Sequence, residues 1–115
     1  MLIYFLSSKN TDEKLIFCDV GQGDATLYIN GQTQVLIDGG NIDAKVLSCL
    51  RKYMPPLDDQ IEIIVATHPD QDHIGGLIEV LAQYKVANFV LPPYQKDTNT
   101  YKLLLDILSF ESLGR

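Results

Sequence analysis

Tryptophan is absent from this 115-residue chain, and histidine and cysteine occur only twice each. Cys18 and Cys49 stand far apart and in no CxxC pattern. That spacing supports neither a zinc knuckle nor a disulfide framework. The expectation is two buried free thiols, since unpaired cysteine packs as a small hydrophobe. Basic residues are also scarce: nine Lys and Arg face fifteen Asp and Glu, for a formal net charge of -6. This balance argues against a broad basic surface that grips nucleic acid through its phosphates. It leaves open a nucleic-acid substrate held by metal ions. Long apolar runs are missing as well. "MLIYFL" stops at Ser7, too short for a spanning helix or a secretory core with its cleavage site. It is either an edge strand or the stub of a membrane segment, and the rest reads as a soluble domain.

What is present suits one globular domain over residues 1–115, with 1–14 as a strand or linker lead-in. "LIFCDV", "ATLYI" and "TQVLID" are β-rich runs, and Asn30-Gly31 between the last two signals a hairpin because both residues accept positive φ. An antiparallel meander follows. After Gly39-Gly40 the apolar spacing becomes helical through "NIDAKVLSCLRKYM", with Asn41 or Asp43 as N-cap and Pro55-Pro56 as terminator. "IEIIVAT" reads as a strand covered on both faces. A short helix is expected after Gly75-Gly76, through "LIEVLAQY". The strand "VANFVL" then completes a parallel βαβ unit, and "NTYKLLLDILSF" closes the chain as a helix with leucines at 104, 105 and 108.

Both histidines fall in one stretch, "THPDQDHIGG", where the expected buried strand ends. Open α/β sheets bind ligands at the carboxyl ends of their strands. Imidazole and carboxylate are ligands for Zn²⁺, Mn²⁺ and Fe²⁺, and two carboxylates among four donors shift the preference toward harder ions, Mn²⁺ in particular. Alternation on an irregular loop sends neighbours to two sides, so His68, Asp70, Asp72 and His73 could serve two adjacent metals. A metal pair clamps the attacking and leaving oxygens of a hydrolysed bond. A calcium loop fails, because Ile74 and Leu81 stand where oxygen donors are needed. A phosphate-cradling loop at Gly21 and Gly23 fails too, lacking the third glycine.

Together, "DVGQGDA", "LIDGG" and "THPDQDHIGGL" resemble the ordered motifs of the metallo-β-lactamase-fold hydrolases, over roughly Leu15 to Leu91. Within that superfamily they look most like the metallo-β-lactamase-like domain of ComEC-type competence proteins, which import DNA in bacteria. The resemblance implies an α/β fold, the N-terminal half of an αββα sandwich. It implies His68 and Asp70 as ligands of a first metal, Asp70 standing where a histidine is usual. It implies Asp72 and His73 as ligands of a second, with Asp72 also orienting the attacking water. The cofactors would be two divalent ions, Zn²⁺ or Mn²⁺. Asp38 matches an acidic residue that braces the metal loop, although a plain strand-end turn is its other reading. Gln22 and Asp24 either border the site or, for Asp24, only cap a turn.

The implied activity is phosphodiester (DNA) hydrolysis linked to DNA uptake. The other reading is a non-catalytic remnant acting as a binding or scaffolding module. The family takes further ligands from a second half, and no histidine follows His73. The chain is therefore expected to be the N-terminal part of a longer domain, with exposed apolar surface awaiting that half or a second copy. The implied setting is bacterial, within an inner-membrane protein or the cytoplasm.

Overall fold

The computed structural model describes residues 2–5 and 13–113, with side chains over 13–110. Six strands form one sheet in sequence order: β1 (Leu2–Phe5), β2 (Glu13–Phe17), β3 (Thr26–Asn30), β4 (Thr33–Ile37), β5 (Gln60–Val65) and β6 (Lys85–Val90). The first four pair antiparallel, and β4–β5 and β5–β6 pair parallel. The expected meander and βαβ unit are thus joined edge to edge. The edge strand anticipated in "MLIYFL" is β1. Residues 6–12 of the polar lead-in lie outside the described residues.

Register sorts the side chains onto two faces. Ile16, Leu27, Leu36, Ile64 and Phe89 are successive ladder partners across β2 to β6. The first four are fully buried. They form the core with α1 (Val46–Tyr53), α2 (Gln71–Gln83) and α3 (Asn99–Leu113), which contribute Val46, Leu50, Ile74, Leu77 and Leu104. The neighbouring rows, Phe17–Thr26–Ile37–Val65–Val90 and Leu15–Tyr28–Val35–Ile63–Asn88, point the other way, because side chains alternate along a strand. None of these ten is fully buried, and Phe17 and Val90 are 42% and 49% exposed. One face of the sheet is covered by helices, and among the described residues nothing covers the other. Gln34 is an exception on the covered side: its amide is buried and finds no hydrogen-bond partner among the described residues.

Four expectations need correction. Cys18 and Cys49 are not free thiols but a disulfide with a Cα–Cα distance of 5.7 Å. Helix α1 docks on the end of β2 and brings together cysteines 31 residues apart, which no sequence spacing reveals. Helix α1 also starts later than its apolar periodicity suggests, at Val46 after Lys45. Asn41 and Asp43 instead accept hydrogen bonds from the nearby N–H groups of Ile42 and Lys45. The hairpin turn is Gly31-Gln32 rather than Asn30-Gly31, and only Gly31 takes a positive φ, of 61°. Helix α2 begins at Gln71, before the glycines rather than after them, so Asp72 and His73 sit on a helical turn. Among the described residues no helix is long and apolar enough to cross a membrane.

Candidate metal centre

The site lies beyond the carboxyl ends of the two parallel strands β4 and β5. Asp38 follows β4, with its N–H on the Val65 carbonyl at 2.8 Å. Its φ is 62°, a left-handed conformation that aspartate tolerates better than most residues. This turn sends the carboxylate beneath the residues that leave β5. Asp38 accepts the Thr67 N–H at 2.8 Å, the Thr67 hydroxyl, and sits 2.9 Å from Nδ1 of His73. It is almost fully buried. One carboxylate therefore fixes both the strand end and an imidazole on α2.

Glycine pairs let these segments touch through backbone. A Cβ on Gly76 would stand 2.0 Å from the Gly39 carbonyl oxygen, and one on Gly39 would meet Leu77 at 2.6 Å. Hydrogen bonds cross the same seam, from Gly39 N–H to the His73 carbonyl at 2.7 Å and from Gly76 N–H to the Gly40 carbonyl at 3.1 Å. The loop after β2 joins them. Gly23 (φ 104°) approaches the Asp72 carbonyl too closely for any side chain, and the Asp24 N–H bonds that carbonyl at 3.3 Å. "LIDGG", "HIGG" and "GQGDA" are thus three surfaces of one contact.

The donors converge in part. His73 Nδ1 faces Asp38, which leaves Nε2 directed at Asp24 and Asp72, each with a carboxylate oxygen 3.8 Å away. The His68 and His73 rings are 4.7 Å apart between centroids. Potential ligand atoms of Asp38, His68 and His73 all lie within 4.8 Å of one another. The Thr67 hydroxyl also lies 2.9 Å from His68 Nδ1. Asp70, the residue just before α2, forms an ion pair with Lys96 from the loop after β6. Gln22 is exposed at the loop tip and takes no part in the contacts that tie Asp24 to the cluster. Sequence reading did not single out Thr67, Tyr94 or Lys96. Thr67 had a visible cue as the strand-end residue beside His68. Lys96, 26 residues beyond Asp70, had none.

Electrostatics follow the geometry. Partial burial alone would lower the pKa of His73. The hydrogen bond and charge of Asp38, with the charges of Asp72 and Asp24, outweigh it and raise the imidazole above its ordinary value. The hydrogen bond and charge of Lys96 hold the Asp70 carboxyl below the usual carboxylate range, and Asp70 raises Lys96 in return.

A divalent cation fits these donors. Zinc sits about 2.0–2.2 Å from imidazole nitrogen and carboxylate oxygen, so ligand atoms roughly 3.8 Å apart can share one ion. The Asp38–His73 contact is also the carboxylate–histidine pairing that orients metal-bound imidazoles.

The family model described as the metallo-beta-lactamase superfamily matches residues 18–102. Among solved structures, the chain is similar to MEM-A1, a subclass B3 metallo-β-lactamase from a soil metagenome library. Identity is 24% and the TM-score 0.51, covering 64% of this chain and 27% of that one. It is also similar to a Cronobacter sakazakii metallo-β-lactamase, with 20% identity, a TM-score of 0.52 and coverage of 65% and 30%. The peroxy diiron species of the chemotaxis sensor ODP gives 21% identity, a TM-score of 0.55 and coverage of 75% and 37%. The chain thus spans about a third or less of these two lactamases and little more of the sensor. The structural likenesses share the fold, and the family match runs unbroken from the disulfide-bonded Cys18 through the histidine loop to the start of α3. On that match, this chain belongs to the metallo-β-lactamase superfamily, whose members are metal-binding and generally hydrolases.

Proposed function

We propose that this chain is the N-terminal part of a metal-dependent phosphodiesterase acting on DNA, of the kind linked to competence. The observation that carries the reading is the placement of His73: Nδ1 on buried Asp38, and Nε2 toward the carboxylates of Asp72 and Asp24. His68, Asp70, Asp72 and His73 are the proposed ligands of two divalent ions, Zn²⁺ or Mn²⁺, with Asp24 bordering them. Asp38 is the residue that orients them. When bound, such ions acidify water and neutralise charge on a phosphoryl group. The protein's own contribution is positional. Asp38 holds His73 in one tautomer and aims its outer nitrogen at the cluster. Asp72, on the first turn of α2 and partly exposed, is the proposed residue that orients the attacking water through a carboxylate oxygen.

The open face of the sheet supports a second element of the proposal. Two apolar rows across five strands are the surface that a second sheet packs against in a sandwich. The remaining half of the domain, or a second copy of this chain, is the proposed cover. The same face supports the alternative reading, a non-catalytic module that docks through this surface. Metal analysis and hydrolysis of bis(p-nitrophenyl) phosphate with added Mn²⁺ or Zn²⁺ separate the two. Bound metal, turnover, and its loss in Asp72→Ala are the results expected of a hydrolase. No turnover with any metal favours the docking module.

A further inference from the structure

Two side chains at the rim of the cluster come from a segment that carries no metal ligand. Strand β6 ends at Val90, and Pro92-Pro93 cannot continue its ladder. The loop that follows brings Tyr94 against His68, ring edge to ring, with 6.4 Å between centroids and an interplanar angle of 81°. Two residues on, the Lys96 ammonium reaches Asp70. Tyr94 is 51% exposed, and the Lys96 side chain is 49% exposed. Both reach the cluster on one flank and solvent on the other. The cluster is otherwise anionic, with Asp24, Asp38, Asp70 and Asp72 around two imidazoles.

We infer that Tyr94 and Lys96 form the substrate-recognition wall of this site and select a single-stranded polynucleotide: Lys96 takes a non-bridging phosphate oxygen and Tyr94 stacks on the adjoining base. This inference rests on the phosphodiesterase reading and adds the substrate class to it. Lys96 is tied to Asp70, one of the proposed ligands. An Asp70 carboxylate given over to a divalent ion no longer neutralises the ammonium, which then sits at the cluster with its charge available. A phosphodiester brings a permanent negative charge to that position. A neutral ester brings none, and gains nothing from a lysine there. Tyr94 supplies an aromatic surface that is sequence-tolerant, because every base has a π-face. With a net charge of -6, the chain has no general attraction for a polyanion, so the local cation decides the approach.

The test is fluorescence anisotropy of a short fluorescein-labelled oligothymidylate with native phosphodiester linkages, read before cleavage develops. It is titrated with the full chain in Mn²⁺ over a range of salt concentrations. Lys96→Met should weaken binding about tenfold, as loss of one charge-assisted contact does. It should also flatten the logarithmic salt slope by about 0.7, the signature of one lost phosphate contact on a single strand. Lys96→Arg should restore both. Tyr94→Ala should weaken binding at least about fivefold with an unchanged salt slope, and Tyr94→Phe should recover it. Both positions are half-exposed, and matching circular dichroism melts will verify that the variants fold. Wild-type affinity and salt slope in Lys96→Met and Tyr94→Ala would overturn this inference while leaving the phosphodiesterase reading in place. Wild-type protein that ignores the oligonucleotide and bis(p-nitrophenyl) phosphate overturns both, whether or not it cleaves p-nitrophenyl acetate.

Discussion

Replacing Gly76 by alanine sets two physical effects against each other. Gly76 lies inside α2, where helix propensity alone predicts that alanine stabilises by about 1 kcal/mol. The structure predicts the reverse. The new Cβ would stand 2.0 Å from the Gly39 carbonyl oxygen and 3.1 Å from Cγ1 of Val46. A carbon ordinarily keeps about 3.3–3.6 Å from such an oxygen, so α2 and the Asp38–Asn41 segment must part by roughly 1.3 Å. Overpacking of this kind costs about 1–3 kcal/mol. The two backbone hydrogen bonds across the seam, from Gly39 N–H to the His73 carbonyl and from Gly76 N–H to the Gly40 carbonyl, add about 1 kcal/mol each if lost. Set against the propensity gain, the net loss is about 2–4 kcal/mol. In a chain of this length that lowers the melting temperature by roughly 10–20 °C. Urea and thermal unfolding followed by far-UV circular dichroism measure it. Ala82→Gly, on the exposed side of the same helix, calibrates the propensity contribution. Because the displaced seam carries Asp38 and His73, zinc uptake should fall with stability. A Gly76→Ala protein as stable as the wild type, or more so, would refute the close-contact reasoning and the account of both glycine pairs.

Three further outcomes follow from the same geometry. Reducing the Cys18–Cys49 bond opens a loop whose ends are 31 residues apart, which costs about 3–4 kcal/mol in the chain-entropy treatment. A lowered urea midpoint on reduction is expected, and two thiols reacting in native, unreduced protein would disprove the bond. Asp38→Asn keeps the shape but places an amide where Thr67 and His73 present donors. It should cost about 1–3 kcal/mol and weaken zinc about 10–100-fold in chelator competition, and unchanged values would remove Asp38 from its bracing role. Gln34→Met replaces a buried amide that has no hydrogen-bond partner among the described residues with an apolar chain of similar volume, so denaturant unfolding should show a gain of about 1 kcal/mol; a loss would mean the amide has a partner.

The strands were legible because β-branched runs alternate cleanly and turns are marked by glycine. The expected turn differs from the observed one by one residue because Asn30 and Gly31 carry the same local signal, and only the pairing of Asn30 with Thr33 decides between them. Glycine reads locally as a helix breaker, so the sequence pattern starts α2 after Gly75-Gly76 rather than at Gln71. At Gly75 and Gly76 the need for backbone contact with the segment after β4 overrides that propensity. The same contact explains why so much of the site could be read. Asp38, Asp24 and the histidine loop are brought together by the glycines beside them, and those glycines are visible in the sequence. Lys96 and the disulfide have no such neighbours. Their partners are fixed by how α1 and the loop after β6 pack on the finished sheet. An ion pair or a thiol pair between distant segments leaves no periodicity to read. A site stitched by backbone contact is therefore announced by its glycines, whereas its charged rim must be found in coordinates.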